Sequence, residues 1–263
     1  MWVGSNTYSM AEEGTTGIQA IDRTFGIVEA MIELEGAGVT ELANHVDLPK
    51  STVHHHLLTL ERAGYVVREN GEYRTGLKFL RAGERTRGQH ALYQVAHTEV
   101  EKLAEKTDEI SGLMVEEHGE GVFIYRDSGS EAAHIDTGIG DRVPLHCTAL
   151  GKVILAHLSA DRRDGIIDRH GLARITENTI TDEDVLREEL EEIRERKIAF
   201  DDEERLNGLR SVAAPVFDAT GQVIGSISVA GPTHRMQGAY FYEELPETVL
   251  GIANVIELNI QHQ

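Results

Sequence analysis

The chain has 263 residues, enough for two ordinary domains, and its 40% of hydrophobic residues exclude a mainly disordered protein. No apolar run approaches the roughly 18 residues of a membrane span, and the single cysteine, Cys147, excludes an intramolecular disulfide framework. The formal net charge of −20 argues against a nucleic-acid partner, yet residues 1–86 carry 8 Lys and Arg against 12 Asp and Glu, only −4 of that total.

The acidic surplus has a physical interpretation of its own. Concentrated salt screens charges within a few ångströms, so excess surface acid is typical of proteins from a very salty cytoplasm. We therefore expect a halophilic origin, and in such salt a DNA-binding protein depends on shape and direct contacts more than on counterion release. An ordinary acidic protein with a locally positive DNA-binding face stays open as the alternative.

The N-terminal residues are polar and small. We expect residues 1–17 to form a flexible leader before a first helix over Ile21–Leu34. Because the N-terminus lacks the basic-then-apolar pattern of a secretory signal, we expect a cytoplasmic protein with no membrane partner.

Residues 39–79 are typical of a DNA-docking module. Apolar residues recur every three to four positions on both sides of a tight turn at Asp47–Pro49, which predicts a short helix over Thr40–Val46 and a second from Ser51 to about Ala63. Gly64 readily takes the left-handed conformation that ends a helix. A helix-turn-helix presents its second helix to the major groove, so transcription regulation is the leading hypothesis.

A β-hairpin is predicted after the second helix, because β-prone runs flank Asn70-Gly71. This hairpin is the expected wing. Pro49 fits the start of the second helix, where Ser51 or Thr52 is expected to cap the first turn. The residues that we expect to contact double-stranded DNA lie on the two helices and the wing: Thr40, Lys50, Ser51, Thr52, His54, His55, Arg68 and Arg74.

The histidines do not predict a metal site. His54–His56 are consecutive, and consecutive helical residues point about 100° apart, so they cannot converge on one ion. The histidines scattered through the second half could form a metal site only if the fold happened to bring them together. We expect no metal and no cofactor. These scattered residues are His134, His146, His157 and His170.

The second half alternates strands and helices. A basic segment over Leu77–Gly88 precedes an acidic helical pattern, which predicts a domain boundary bridged by a helix. Strands bracketed by helices predict an antiparallel sheet and an α+β fold. The predicted elements are strands over Ile110–Glu116, Val122–Asp127, Ser211–Phe217 and Val223–Ala230, and helices over Thr148–Leu158, Asp182–Lys197 and Glu244–Ile260.

Several motifs together resemble the IclR family of transcriptional regulators over roughly residues 18–260. The motifs are Leu48-Pro49-Lys50-Ser51-Thr52-Val53-His54, the run from Arg142 to Lys152, Ile180-Thr181-Asp182, Asp201-Asp202-Glu203-Glu204, Ala213-Ala214-Pro215-Val216, and the run from Ser226 to Pro232. The resemblance implies a winged helix-turn-helix over residues 18–78, a linker helix over 79–92 and a GAF-like α/β effector and oligomerisation domain over 93–263. It further implies a homodimer or dimer of dimers that binds a palindromic operator and responds to a small organic acid.

The resemblance also implies an effector site. Ala149 and Leu150 match positions whose backbone amides hold a carboxylate, and Asp201 matches an acid that accepts a hydrogen bond from the ligand. Ser211 and Ala230 stand where relatives often have Cys and Ser. The implied site residues are Val143, Ala149, Leu150, Asp201, Leu209, Ser211 and Ser228, with Ile135 in the apolar wall. Each also has a simpler interpretation: Ser228 as a packing residue, Asp201 as a cap and Leu150 as core.

Two other functions stay open. Cys147 beside His146 suggests a thiol nucleophile, but adjacent residues of an extended segment point to opposite faces, so His146 is poorly placed as its base. We expect no enzyme and interpret Cys147 as a small buried residue. The other alternative is a ligand-sensing module that binds a protein partner and never DNA.

Overall fold

The structure is a computed structural model that describes residues 17–130, 132, 135 and 137–262. The chain divides into two compact units between Thr86 and Arg87. Of the predicted leader, residues 1–17, all but Gly17 lie outside the described residues, and Gly17 is exposed.

The first unit folds around three helices and a hairpin. Its apolar residues recur at helical spacing, so one stripe of each helix faces a single small core, which includes Ile27, Leu42, Val53 and Leu57. The elements are α1 (Gln19–Glu33), α2 (Val39–His45), α3 (Lys50–Arg62), β1 (Val66–Glu69) and β2 (Glu72–Thr75), followed by α4 (Lys78–Gly88).

The turn before α3 differs in detail from the prediction. Asp47 adopts the left-handed conformation with φ 47°, which Asp tolerates well. Pro49 is the residue before the helix, and no side chain caps the first turn, so the predicted capping by Ser51 or Thr52 is wrong. Their hydroxyls lie inside the first turn, whereas a cap needs its acceptor on the residue before the helix, and that residue, Pro49, has no side-chain acceptor.

The end of α3 and the wing follow the prediction. Gly64 has φ 77°, and the amide of Tyr65 donates to the carbonyl of Leu60 at 2.9 Å, the bond pattern of a glycine-terminated helix. In the hairpin, Asn70 (φ 52°) and Gly71 (φ 92°) form the two-residue turn between β1 and β2.

The second unit is built on one antiparallel sheet with strand order β5-β4-β3-β8-β7-β6. The α+β fold with an antiparallel sheet is therefore confirmed. Its strands are β3 (Ile110–Glu117), β4 (Glu120–Ser128), β5 (Arg142–Pro144), β6 (Ala199–Asp202), β7 (Leu209–Phe217) and β8 (Val223–Pro232), and its helices are α5 (Ala91–Thr107), α6 (Ala149–His157), α7 (Ala160–His170), α8 (Glu183–Arg196) and α9 (Leu245–Gln261).

Helices cover both faces of this sheet. α5 and α9 bury residues such as Val100 and Val249 against Ile227 on one face. α6 and α8 bury Ile154 and Leu190 on the other, together with Met114 and Phe123. Successive side chains of a strand point to opposite faces of the sheet, so each strand contributes residues to both cores. Within the described ranges, none of the helices combines the length and apolarity that a bilayer crossing requires.

Two helical segments differ from the sequence prediction. The segment 79–92, predicted as one linker helix, contains the end of α4 and the start of α5, with a break at Gln89 and His90. Helix α7 was not predicted, because its apolar pair Ile166 and Ile167 is adjacent rather than spaced by a helical turn.

Candidate DNA-binding face and effector cavity

The first half of α3 presents a polar surface. Val53 and Leu57 point into the core, which leaves Lys50, Ser51, His54 and His55 exposed on the other side, with Thr52 half-buried. Thr40 is exposed at the start of α2. Hydroxyl, imidazole and ammonium groups on a second helix can bond phosphates and base edges.

The third histidine of the run faces inward. His56 Nδ1 lies 2.8 Å from Thr24 Oγ1 on α1. The pKa of His56 is lowered mainly by burial and secondly by the charge of Arg23. His56 is therefore a structural contact between helices. Among the described residues, no group of three or more His, Cys, Asp or Glu side chains could hold a metal ion.

The wing carries two exposed arginines that also make local contacts. The Arg68 guanidinium lies 5.3 Å from the centre of the Tyr73 ring. Arg74 donates to Glu72 at 3.3 Å, and its side chain covers Gly36, where an added Cβ would lie 2.6 Å from Arg74 Cγ. Surface pairs of this kind contribute little energy, so both guanidiniums can exchange these contacts for phosphate.

A cavity lies in the second unit over the sheet, at the start of α6. Strand pairing puts Ile110, Ala230, Ser211 and Asp201 in one row across β3, β8, β7 and β6. Short side chains at the centre of this row leave open space. The cavity, of about 40 Å³, is lined by Ile110, Gly112, Phe123, Arg126, Ile135, Thr137, Thr148, Leu150, Asp201, Arg205, Leu209, Ser211, Ser228 and Ala230.

Most of the expected effector residues lie at this cavity. Leu150, Asp201, Leu209, Ser211 and Ser228 line it, as do Ile135 and Ala230. Val143 and Ala149 are not among the lining residues, since both side chains are buried in the core between the sheet and α6.

The N-terminus of α6 borders the cavity. Thr148 Oγ1 accepts the amide of Gly151 at 2.9 Å and so caps the helix, and both Thr148 and Leu150 line the cavity. The positive end of the helix dipole and the first-turn amides favour an anion in this place.

Asp201 is the buried acid of the cavity. Its carboxylate accepts the amide of Glu204 at 2.8 Å and the hydroxyl of Ser211 at 3.5 Å. Burial, followed by the negative charge of Glu204, raises the pKa of Asp201 to about 7. Near neutral pH this group can therefore either accept or donate a hydrogen bond toward a ligand.

Sequence reasoning missed two arginines of the cavity. Arg126 comes from β4, and Arg205 follows β6 and donates to Thr137 Oγ1 at 2.8 Å. Burial lowers the pKa of both guanidiniums, and the charge of Arg205 lowers that of Arg126 further. The available signal was Arg205 itself, a lone cation directly after the acidic run Asp201–Glu204.

A buried ion cluster holds the segment that runs from Asp201, at the end of β6, to Arg205. Lys152 Nζ of α6 donates to Glu189 at 2.8 Å and to Glu204. The hydroxyl of Thr179 donates to the Glu204 carbonyl at 2.6 Å. Burial alone would lower the pKa of Lys152, but the charges of Glu204 and Glu189 outweigh it and raise that pKa, so Lys152 is a structural cation.

Cys147 is buried, as predicted. Burial, followed by the charge of Asp201, raises the pKa of its thiol to about 12, so it is protonated and unreactive at neutral pH. His146 is bonded through Nε2 to the carbonyl of Ala173 at 3.0 Å. This geometry does not favour a thiol nucleophile.

The comparisons with known proteins cover both units. Residues 20–70 match the family described as IclR helix-turn-helix domain, and residues 85–258 match the one described as Bacterial transcriptional regulator IclR C-terminal. The chain belongs to the IclR family. It is thus a transcriptional regulator with a helix-turn-helix domain and a C-terminal effector-binding domain.

Individual relatives of this IclR-family regulator agree. It is 33% identical over 239 residues to a Halobacterium salinarum protein named probable HTH-type transcriptional regulator ArcR, over 89% of this chain and 91% of that one. It is 34% identical over 220 residues to the HTH-type transcriptional regulator KdgR of Escherichia coli, over 83% and 84% of the two chains. The crystal structure of Thermotoga maritima IclR matches with a TM-score of 0.78 at 27% identity, over 93% of this chain and 99% of that one.

Proposed function

We propose that this regulator binds a palindromic operator as a homodimer or dimer of dimers and that a small organic acid in the cavity at α6 changes its affinity for that operator. Residues 18–78 would read the DNA, 79–92 would connect, and 93–263 would sense the acid. The observation that carries the proposal is the pairing, in one chain, of an exposed polar α3 face with a cavity that joins a helix N-terminus to Asp201.

The size of the cavity supports a compact acid. The cavity, of about 40 Å³, is compact in this structure, so we expect a small organic acid and expect side chains to move outward when it binds. One IclR homologue of the same fold, from Microbacterium hydrocarbonoxydans, is complexed with 4-hydroxybenzoate. That ligand is an aromatic acid, and we expect the present regulator to bind an acid of that size or smaller.

The acid changes operator affinity only through its preference between two arrangements of the DNA-binding heads. Its effect on DNA binding is therefore a finite factor, and operator DNA changes the affinity for the acid by the same factor. We also infer a salty cytoplasm as the working environment, supported by the net charge of −20 and by the relative from Halobacterium salinarum.

The test is operator binding by fluorescence anisotropy in molar KCl. The duplex is the upstream region of the protein's own operon, and the reference is a shuffled duplex of equal length. Changing both Ser51 and Thr52 to Ala should weaken operator binding at least about tenfold while the acid affinity is unchanged. Thr59→Ala, on the same helix but beyond its first half, should leave both affinities unchanged. No preference for the operator over the shuffled duplex contradicts the proposal.

The reciprocal variant is Asp201→Ala. Without acid, the operator affinity of this variant should be unchanged. Its affinity for carboxylic acids, measured by calorimetry, should be reduced. If the Ser51 and Thr52 changes and Asp201→Ala each leave both affinities unaltered, the assigned division between the two units is wrong.

A further inference from the structure

Two guanidinium groups of the cavity have few partners. A guanidinium offers five N–H donors, so Arg126 and Arg205 together offer ten. Within the described part of the chain, the one hydrogen bond that these donors make runs from Arg205 Nη2 to Thr137 Oγ1, at 2.8 Å. Neither guanidinium has a carboxylate within ion-pair distance among the described residues. Most of their donor capacity is therefore available to a bound molecule.

Other half-buried arginines of the same unit are paired. Arg235 donates through two nitrogens to Glu109 at 2.5 and 2.6 Å, and Arg210 donates likewise to Asp202 at 2.6 and 3.2 Å. Bidentate pairing of this kind is the usual arrangement for a guanidinium withdrawn from water. Arg126 and Arg205 depart from that arrangement at the cavity.

The two charges also lie close to the same place. The guanidinium carbons of Arg126 and Arg205 lie 5.8 and 6.0 Å from the centre of one ring, that of Phe123. Like charges that share a partly desolvated space repel each other, and an anion between them removes that cost. Two acids of the described residues face them: Asp201 in the cavity and Asp141, an exposed residue whose Oδ2 already accepts the amide of Gly138 at 2.5 Å.

We propose that Arg126 and Arg205 form a second anion subsite, so that the effector is a small organic acid with two anionic groups. One carboxylate lies at the N-terminus of α6, and the second anionic group bonds the two guanidiniums. This assignment rests on the proposed function, because it names the class of acid that the same cavity binds.

The test compares malate with 2-hydroxybutyrate. Both are four-carbon 2-hydroxy acids, and they differ in a terminal carboxylate against a methyl group. Isothermal titration calorimetry on the full chain should show malate binding at least about tenfold tighter, the effect of one charge-assisted bidentate contact. Equal binding of the two acids overturns the proposal, as does the absence of binding by both.

Variants assign the difference to the arginines. Arg126→Gln and Arg205→Gln should each lower the affinity for malate at least about tenfold and change that for 2-hydroxybutyrate by less than about twofold. Arg126→Lys and Arg205→Lys keep the charge and should recover part of the loss. Arg169→Gln, which removes an exposed guanidinium of α7, is the control and should leave malate binding unchanged. A preference for malate that survives both Gln variants overturns the assignment.

The outcomes distinguish a failure of the second anion subsite from a failure of the proposed regulatory function. If both acids bind equally and both alter operator affinity, the second subsite is wrong and the proposed function stands. If malate is preferred through the arginines but no operator preference exists, the subsite stands and the regulatory proposal fails. The lysine variants also cover the case in which a glutamine variant does not fold, which circular dichroism detects.

Discussion

Lys152 is almost fully buried, at 1% exposure, and its ammonium joins α6 to Glu189 of α8 and to Glu204 beside the cavity. Removing one partner of a buried ion pair leaves the other charge uncompensated. Lys152→Met should therefore lower the free energy of unfolding by about 3–5 kcal/mol, measured by urea titration of the full chain.

A surface pair provides the comparison. Arg196 lies 3.7 Å from Glu192 on the same helix, and their side chains are 39% and 73% exposed, so Glu192→Met should cost less than about 1 kcal/mol. Adding Glu204→Gln to Lys152→Met should recover part of the loss, because the stranded charge is then absent. Equal losses for Lys152→Met and Glu192→Met would show that Lys152 is not a buried structural cation.

Asp201 gives acid binding a pH dependence. Its folded-state pKa of about 7 lies above its ordinary value of 3.8, so it is ionised above pH 7 and takes up a proton as the pH falls through 7. An anionic ligand prefers the protonated form. If it binds that form alone, malate affinity should fall about tenfold from about pH 6 to about pH 8.

The variant Asp201→Asn isolates this effect. It cannot ionise, so malate affinity measured by calorimetry should be nearly constant over the same range of pH. A dependence that persists in Asp201→Asn assigns the titration to another group, and an affinity that rises with pH in the unsubstituted protein contradicts the sign argued above.

The residues of the cavity divide into those that the sequence could predict and those that it could not. Asp201 and Ser228 lie in motifs whose position in the fold is known from the resemblance, and Ser211 lies two residues before another such motif. Arg126 and Arg205 lie outside those motifs, and an arginine near acidic residues has the same local pattern as a solvated one. Both guanidiniums lie near the Phe123 ring because distant segments pack together, and only the folded chain shows this arrangement.

At the level of secondary structure, the packing of the first turn of α6 against the preceding turn requires a glycine at position 151. An added Cβ at Gly151 would lie 2.2 Å from the carbonyl oxygen of Leu145, a backbone atom held by the preceding turn. Gly151→Ala should therefore destabilise the chain by about 1–3 kcal/mol in urea titration, and it should also weaken acid binding, since it displaces the helix N-terminus.

Gly165 in α7 is the matched control. Nothing lies within 4 Å of an added Cβ there, so Gly165→Ala should stabilise the protein by up to about 1 kcal/mol through helix propensity. Loss of stability in Gly165→Ala comparable to that in Gly151→Ala would mean that helix packing, and not the contact with Leu145, decides the result.

The predictability of the elements follows their length and pattern. The wing was predictable because Asn70-Gly71 has a strong local preference for a tight turn, and α8 was predictable because Leu186, Leu190 and Ile193 mark one helical face. The strands β5 and β6, of three and four residues, are too short to show alternation. They exist because neighbouring strands supply their hydrogen bonds.

For the whole molecule, charge determines how stability responds to salt. Residues 87–263 carry 17 Lys and Arg against 33 Asp and Glu, so self-repulsion is concentrated in the second unit. Raising KCl from about 0.1 M to about 1 M shortens the Debye length from about 10 Å to about 3 Å. The melting temperature of the protein, measured by calorimetry, should rise over this range. A melting temperature that falls steadily with KCl contradicts a halophilic origin.

The wing is anchored to the helices of the first unit through its second strand. Tyr73 of β2 exchanges both backbone hydrogen bonds with Ala37, at 2.9 and 3.1 Å, and its ring is fully buried in the core of the first unit. The hairpin therefore cannot swing independently of α3. If α3 contacts the groove and the wing contacts the flanking backbone, as proposed, the span between these two contacts is fixed, so a half-site lengthened by one base pair should cost the protein one contact or the other.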